Sequence, residues 1–243
     1  FSILNTLFKR EFRDYWFETG TPTLLVNMLK VTDYELENLT EESVSVDDLN
    51  CIFNDGNPIP VIFQSGYLTI EDYKKEFGTY KLQFPNREVK EGFIKFLLPY
   101  YTKRQKAGSF KLDNFVIDLR NGKAESFMVR MQSLFADTPY LLIQGGDRER
   151  HYHNVIYLLT RLMGFYVEAE YQTSAGRIDM VIETDDYVYV MEFKLDGTAE
   201  EALLQIEERG YAQPFMSSGK KLFKIGVNFS SETKSIDRWI IKE

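Results

Sequence analysis

Cysteine is almost missing from this chain of 243 residues: Cys51 stands alone. One thiol cannot close an internal disulfide, and it cannot supply a zinc site built on several cysteines. A small buried apolar role in a reducing, cytoplasmic compartment is its natural reading. No uninterrupted apolar run approaches the ~18 residues of a membrane span, and the N-terminus lacks the charged-then-apolar layout of a signal peptide. Basic residues are in deficit, 29 against 37 acidic ones, for a formal charge of −8. That excludes a protein that is basic overall and coats nucleic acid by charge alone, though not a local basic groove. Fixed-period repeats and low-complexity tracts are also lacking, which argues against solenoids and linker-dominated architectures.

What the chain does hold is apolar and aromatic surface. Hydrophobic residues make up 44% and aromatics 15%, with 19 Phe and 15 Tyr, enough to bury a sizeable core. At ~150 residues per domain the length suggests two domains. The chain opens on Phe1 and not Met, which points to a fragment of a longer protein, or to a processed or renumbered one.

The character of the sequence changes near residue 140. Before it, Thr21-Pro22 reads as an N-cap and N1 proline leading into Leu24, Leu25, Met28 and Leu29. Asn86 begins another helix with Val89, Phe93, Phe96, Leu97 and Tyr100 as its apolar stripe. Between them, Tyr67 to Ile70 and Tyr80 to Phe84 read as two short strands. The acidic stretch from Glu35 to Asp48 reads as an exposed loop or helix edge. Residues 1–105 are therefore a mostly helical, winged-helix-like module. Residues 106–140 form a helical connector, with Phe115, Leu119, Phe127, Met128, Met131, Leu134 and Phe135 as its apolar face and Asn121-Gly122 as its break.

From 141 to 243 the pattern turns to an αβββαβ core with a mixed sheet. A long helix runs to Met163 and is closed by Gly164. Strand-like runs follow at Tyr166 to Thr173, Arg177 to Glu183 and Tyr187 to Lys194, the last two joined at Asp185-Asp186. Ala199 to Arg209 reads as a helix, Lys221 to Asn228 as a strand, and Ile236 to Ile241 as an edge strand.

The sharpest constellation is Gly176-Arg177-Ile178-Asp179 followed by Glu192-Phe193-Lys194. Alternate side chains of a strand share a face, so Glu192 and Lys194 project together while Phe193 points into the core. Pairing back through the Asp185-Asp186 turn brings Asp179 close to positions 191 to 193. Two carboxylates and an ammonium then converge. Hard oxygen ligands of this kind suit Mg²⁺ or Mn²⁺, which polarise a phosphoryl oxygen and help to activate water. Lys194 would orient or deprotonate that water and stabilise transition-state charge. Histidine is not needed, which suits a chain with two. His151 and His153 lie about 200° apart around a helix and cannot clasp one metal. His153 shares a face with Glu149 and either orients it or is a partly buried core histidine. Lys103-Arg104-Lys106 and Lys220-Lys221 with Lys224 could touch phosphates or form solvated faces.

These residues carry a resemblance. The segment 147–239 resembles the PD-(D/E)xK nuclease superfamily, in the branch joined to an AAA-ATPase-like domain (DUF1703-type proteins, abundant in gut Bacteroidetes). It does so through Glu149 with Tyr152-His153, Gly176 to Asp179, Glu192-Phe193-Lys194, Ala202 with Gln205-Ile206, Tyr211, Gly219 to Lys221, and Gly226 to Ser230. Upstream, Tyr15 to Thr21, Ser65 to Ile70 and Phe84 to Val89 resemble the end of the same proteins' ATPase-like portion. The resemblance implies a restriction-endonuclease-like fold, with Asp179, Glu192, the Phe193 carbonyl and Glu149 around Mg²⁺ or Mn²⁺. It makes Lys194 the catalytic lysine and gives Gln205 the task of positioning it or touching a phosphate. It implies nucleic acid, in particular DNA, as substrate, an upstream ATPase-like domain as partner, and no membrane. Ile178-Asp179 stands where the superfamily often has Pro-Asp. No Gly-x-x-x-x-Gly-Lys-Ser/Thr loop occurs, and Gly145-Gly146 is too short to replace one, so this chain by itself should not bind ATP. A different class of function also fits the residues: a non-catalytic nucleic-acid- or protein-binding regulatory module on the same scaffold.

Overall fold

The computed structural model describes residues 25–26, 28–29, 32, 34–41, 43–50, 57–101, 111–136, 148–164, 168–171 and 179–243. Thr21-Pro22, Tyr15 to Phe17, Cys51, Lys103-Arg104-Lys106, Gly145-Gly146 and Gly176-Arg177-Ile178 lie outside the described residues. The chain divides into two compact units, Phe1–Tyr100 and Tyr101–Glu243.

In the first unit, Leu25, Val26 and Leu29 are buried on one helical face. The order then runs α1 (Asn38–Glu41), β1 (Ser43–Ser45), α2 (Val46–Asn50), α3 (Ile59–Gln64), β2 (Thr69–Lys74), β3 (Thr79–Gln83) and α4 (Arg87–Tyr101). The three strands form an antiparallel sheet ordered β1-β3-β2. Of the two readings of the acidic stretch, exposed loop or helix edge, the second holds, since α1 and the start of α2 fall within it. Leu36, Leu39 and Val44 are buried within it, and Ser45 turns the chain into α2 by accepting from the Asp48 N–H while Asp48 accepts from Ser45. Charge content hid the four apolar residues of the stretch, Leu36, Leu39, Val44 and Val46. The first strand of the hairpin also begins later than expected. Tyr67 and Leu68 are buried ahead of it, and the strand extends to Lys74. Asn86 caps α4 as expected, its Oδ1 accepting from the Val89 N–H at 2.9 Å. The buried face of that helix is Val89, Phe93, Ile94, Leu97, Leu98 and Tyr101, while Phe96 and Tyr100 are half-buried.

In the second unit, α5 (Leu112–Arg120) and α6 (Ala124–Ala136) precede α7 (Arg148–Met163), β4 (Glu168–Tyr171), β5 (Met180–Glu183), β6 (Tyr187–Leu195), α8 (Ala199–Glu208), β7 (Lys221–Ser230) and β8 (Ser235–Lys242). The strands form one mixed sheet ordered β4-β5-β6-β7-β8, in which β6 and β7 run parallel and every other pair antiparallel. This is the expected order of helix, three-strand meander, helix and strand, with β8 as the edge. Only the parallel pair needs a crossover, and α8 provides it.

Each face of β6 packs on a different layer. Val188 and Val190 pack with Ile206 and Tyr211 on the α8 side. Tyr189 points the other way and donates its hydroxyl to the Leu119 carbonyl at the end of α5, at 2.6 Å. Phe229 of β7 meets Phe135 of α6, and Tyr152 of α7 stacks on it at 4.8 Å. Helices α5 and α6 therefore belong to the layer covering this sheet, and Gln132 of α6 donates to the Ile236 carbonyl of β8. Tyr189→Phe leaves the Leu119 carbonyl without its buried donor. It is expected to lower unfolding stability by ~0.5–1.5 kcal/mol in urea titrations, and an unchanged midpoint would show that the bond contributes nothing.

Candidate active site

The turn at Asp185-Asp186 fixes the β5–β6 register, with Glu183 opposite Val188 and Met180 opposite Met191. One step further along the same register, Asp179 faces Glu192. Opposed residues in an antiparallel pair share a face, so the two carboxylates lie on one side of the sheet. Asp179 is held there by its backbone neighbour: the Phe193 N–H donates to its Oδ2 at 2.9 Å. Lys194 projects on the same side, two residues on from Glu192, and its Nζ lies 3.5 Å from Glu192 Oε1. Phe193 turns to the opposite face and packs on Phe229, as the alternation requires.

Gln205 completes the cluster from α8. Its Oε1 accepts from Lys194 Nζ at 2.5 Å, and its Nε2 donates to Glu192 Oε1 in a short contact. One amide thus satisfies both a cation and an anion. The helix that carries it starts at a capping box, in which the Thr198 hydroxyl accepts from the Glu201 N–H and the Glu201 carboxylate accepts from the Thr198 N–H.

The electrostatics are those of two acids crowded together. Glu192 is 2% exposed, and burial pushes its carboxyl up to about 7, with the Asp179 charge adding to the rise and Lys194 opposing it. Burial also raises Asp179, opposed by the Phe193 N–H, Lys194 and His153. Glu192 Oε2 is buried and has no hydrogen-bond partner. Among the described residues no group of three or more His, Cys, Asp and Glu side chains could hold a metal ion. The cluster supplies two carboxylates, and the Glu149 side chain, on the first turn of α7, lies outside the described residues.

Other candidate residues fall elsewhere. Tyr211 is buried against Val188 and Val190, in the apolar layer beneath the charged residues. His151 is buried and packs edge-on against Tyr152, while His153 is half-buried and contributes positive potential at Asp179. The basic run at the start of β7 is spent within the fold: Lys220 pairs with Glu183, Lys221 with Glu243, and Lys224 with Glu207. Sequence reasoning gave no role to Asn228, which is 6% exposed and accepts the Gly197 N–H at 3.0 Å. Its place in β7 opposite Lys194 is visible only once the parallel register is known.

The Glu192 shift has a consequence for stability. A carboxyl that titrates near 7 when folded and near 4.5 when unfolded favours the folded state below pH 4.5. That contribution is lost as pH rises toward 7. Glu192→Gln is therefore expected to be more stable than the wild type at pH 8.5, by on the order of 1–3 kcal/mol, with the difference vanishing at pH 4. Urea unfolding at both pH values measures it. A difference that is equal at both would remove the electrostatic account.

Comparison with known proteins places the segment that carries these residues in a family. Residues 147–239 match the family described as PD-(D/E)XK nuclease superfamily. The chain is 31% identical over 251 residues to a protein of Azotobacter chroococcum mcd 1 named "Uncharacterized protein in vnfD 5'region", an alignment covering all of this chain and 48% of that protein. The chain thus spans about half the length of the curated relative it matches. No solved structure matches. With a mixed sheet in the expected order and the Asp179, Glu192 and Lys194 spacing inside the matched segment, residues 147–239 form a PD-(D/E)XK nuclease superfamily domain.

Proposed function

We propose that the second unit hydrolyses phosphodiester bonds, in DNA, with a divalent cation held by Asp179 and Glu192. The observation that carries this reading is the orphaned, buried Glu192 Oε2 beside a second carboxylate on the same face. A buried carboxylate with an unfilled acceptor, set beside a half-buried second acid, is costly unless a cation joins them. The donor set is hard oxygen, which fits Mg²⁺ or Mn²⁺ and not a thiolate metal. The Phe193 carbonyl and Glu149 are the further ligands of the proposed set. A cation bound there would polarise the phosphoryl group under attack.

The chain's own residues do the rest. The Phe193 N–H fixes the Asp179 carboxylate, so its orientation is set before any ligand arrives. Gln205 holds Lys194 Nζ close to Glu192, and a cation at that spot is placed to meet negative charge as it grows on the phosphate and to orient the attacking water. Gln205 also spares Glu192 Oε1 from lying unsatisfied in the fold.

The first unit is read as a winged-helix module adjoining an upstream ATPase-like region in a cytoplasmic protein. What supports the winged-helix part is its element order, with β1 between helices, then two helices and a hairpin, and a sheet ordered β1-β3-β2. The division at 105 and 140 drawn from the sequence is kept as the proposed domain plan, with the 106–140 helices serving the nuclease sheet. A relative twice as long leaves room for further domains in such proteins.

The test uses the 243-residue chain with supercoiled plasmid and Mn²⁺. Cleavage is expected to fall ~10²–10³-fold or more in Lys194→Ala while calorimetric Mn²⁺ binding persists. Asp179→Ala and Glu192→Ala are expected to lose both. Because Glu192 must give up its proton to bind the ion, Mn²⁺ affinity is expected to drop about tenfold per pH unit below 7 and to level off above it. Cleavage that survives intact in Asp179→Ala would overturn the proposal. Absence of Mn²⁺ binding in the wild type would favour the non-catalytic regulatory module.

A further inference from the structure

On its own strand the Lys194 ammonium has the Glu192 carboxylate 3.5 Å away; its hydrogen bond comes from Gln205, and Gln205 is only as well placed as α8. Besides the apolar contacts of Ile206 with Val188 and Val190, two residues of β7 bear on where α8 lies. Gly226 stands opposite Glu192 in the parallel register, and Asn228 stands opposite Lys194. Paired residues of parallel strands share a face, so both look toward α8 beside the charged cluster. A Cβ added at Gly226 would lie 2.2 Å from the Ala199 carbonyl oxygen and 2.6 Å from the Leu203 nitrogen. These are helix backbone atoms and cannot swing aside as a side chain could. The absence of a side chain at 226 is therefore what lets the first turns of α8 rest directly on the sheet.

Asn228 holds the same helix from its entry. The buried Oδ1 accepts the Gly197 N–H at 3.0 Å, in the three-residue connection between β6 and α8. Asp196, at φ +54°, donates its N–H to the Phe229 carbonyl at 2.8 Å and accepts the Ser231 N–H on its carboxylate. The connection is thus tied at its first two residues to the end of β7. Gly197 also sits against the Lys194 stem, where an added Cβ would meet Lys194 Cβ at 3.2 Å.

We propose that Gly226 and Asn228 are positioning residues for Lys194, acting through the seating of α8 and the amide of Gln205. The inference deepens the phosphodiesterase reading and rests on it for its catalytic meaning, but its deciding measurement does not require activity. The Gln205 amide, assigned in the intact ¹⁵N-glutamine-labelled chain by its disappearance in Gln205→Ala, is expected to resonate apart from exposed glutamine amides and to exchange slowly. In Gly226→Ala and in Asn228→Ala it is expected to move to the free-amide position while the other glutamine signals stay in place. If Gly226→Ala does not fold cooperatively, Asn228→Ala decides. A Gln205 amide unmoved in a folded Asn228→Ala overturns the proposal.

Plasmid cleavage with Mn²⁺ provides the second arm. Each folded variant is expected to lose ~10–100-fold in kcat, with KM and Mn²⁺ affinity kept within about twofold, since a displacement near 1 Å is enough for such a loss. Adding either substitution to Gln205→Ala is expected to slow it no further, because the path runs through that amide. Losses that instead add, or that track a loss of Mn²⁺ binding, assign both residues a general structural role and overturn the positioning account. A wild type that cuts nothing removes the nuclease reading and leaves the amide measurement to decide the positioning.

Discussion

Two carboxylates held face to face by a strand register are the constraint on which the rest of the second unit depends. Glu192 is buried, and the register that sets Met180 opposite Met191 brings Asp179, one residue before β5, up to it. Burial and mutual repulsion raise Glu192 far from its ordinary range, and the surrounding groups are arranged to contain that cost. The Phe193 N–H takes one oxygen of Asp179, and Gln205 takes one oxygen of Glu192 and the proton-bearing end of Lys194. One Glu192 oxygen remains unserved. A fold selected for stability alone would place a neutral or apolar residue there, and it is this cost that supports the proposed site.

The layers above and below the sheet divide the work. On the side away from α8, Tyr152, Phe135, Phe193 and Phe229 form a ring-packed core with α6 and α7 behind it. That core makes β6 and β7 a rigid platform, with Tyr189 bolted to the end of α5. On the α8 side, apolar contacts occupy the lower half of β6 and charged ones the upper half, so one strand passes from core to site along its length. The crossover helix is the element most exposed to error in this arrangement. It must lie close enough for one glutamine to reach two strand positions, which is why its seat on β7 is bare of a side chain.

The acidic balance of the chain also takes on meaning at this level. The lysines at the start of β7 are consumed by Glu183, Glu243 and Glu207 at the end of the sheet where β6 begins. They are thus paired intramolecularly and do not form a free phosphate-binding strip. Exposed pairs of this kind contribute little to stability, so their effect is to neutralise an edge and not to hold the fold.

Much of the second unit was legible before any coordinates. The apolar run from Tyr187 to Met191 ending in Glu192-Phe193-Lys194, the Asp185-Asp186 turn and Gly164 after Met163 are local signals, and local signals survive in sequence because neighbouring residues enforce them. In the acidic stretch before Asp48 the helix edge was legible but the burial of Leu36, Leu39 and Val44 was not, because carboxylates interspersed among them hide the apolar face. Asp179, Glu192 and Lys194 could be named from spacing alone, since an antiparallel hairpin fixes who faces whom. The parallel neighbours Gly226 and Asn228 could not be given a role, because parallel register is set by a crossover some 25 residues long and by packing against α8, not by a turn. Sequence determined which residue types were available and on which strand face they lie. Tertiary structure alone decided which of them meet, because contact across a crossover depends on how closely a helix can approach a sheet, and that distance is written in no single stretch of chain.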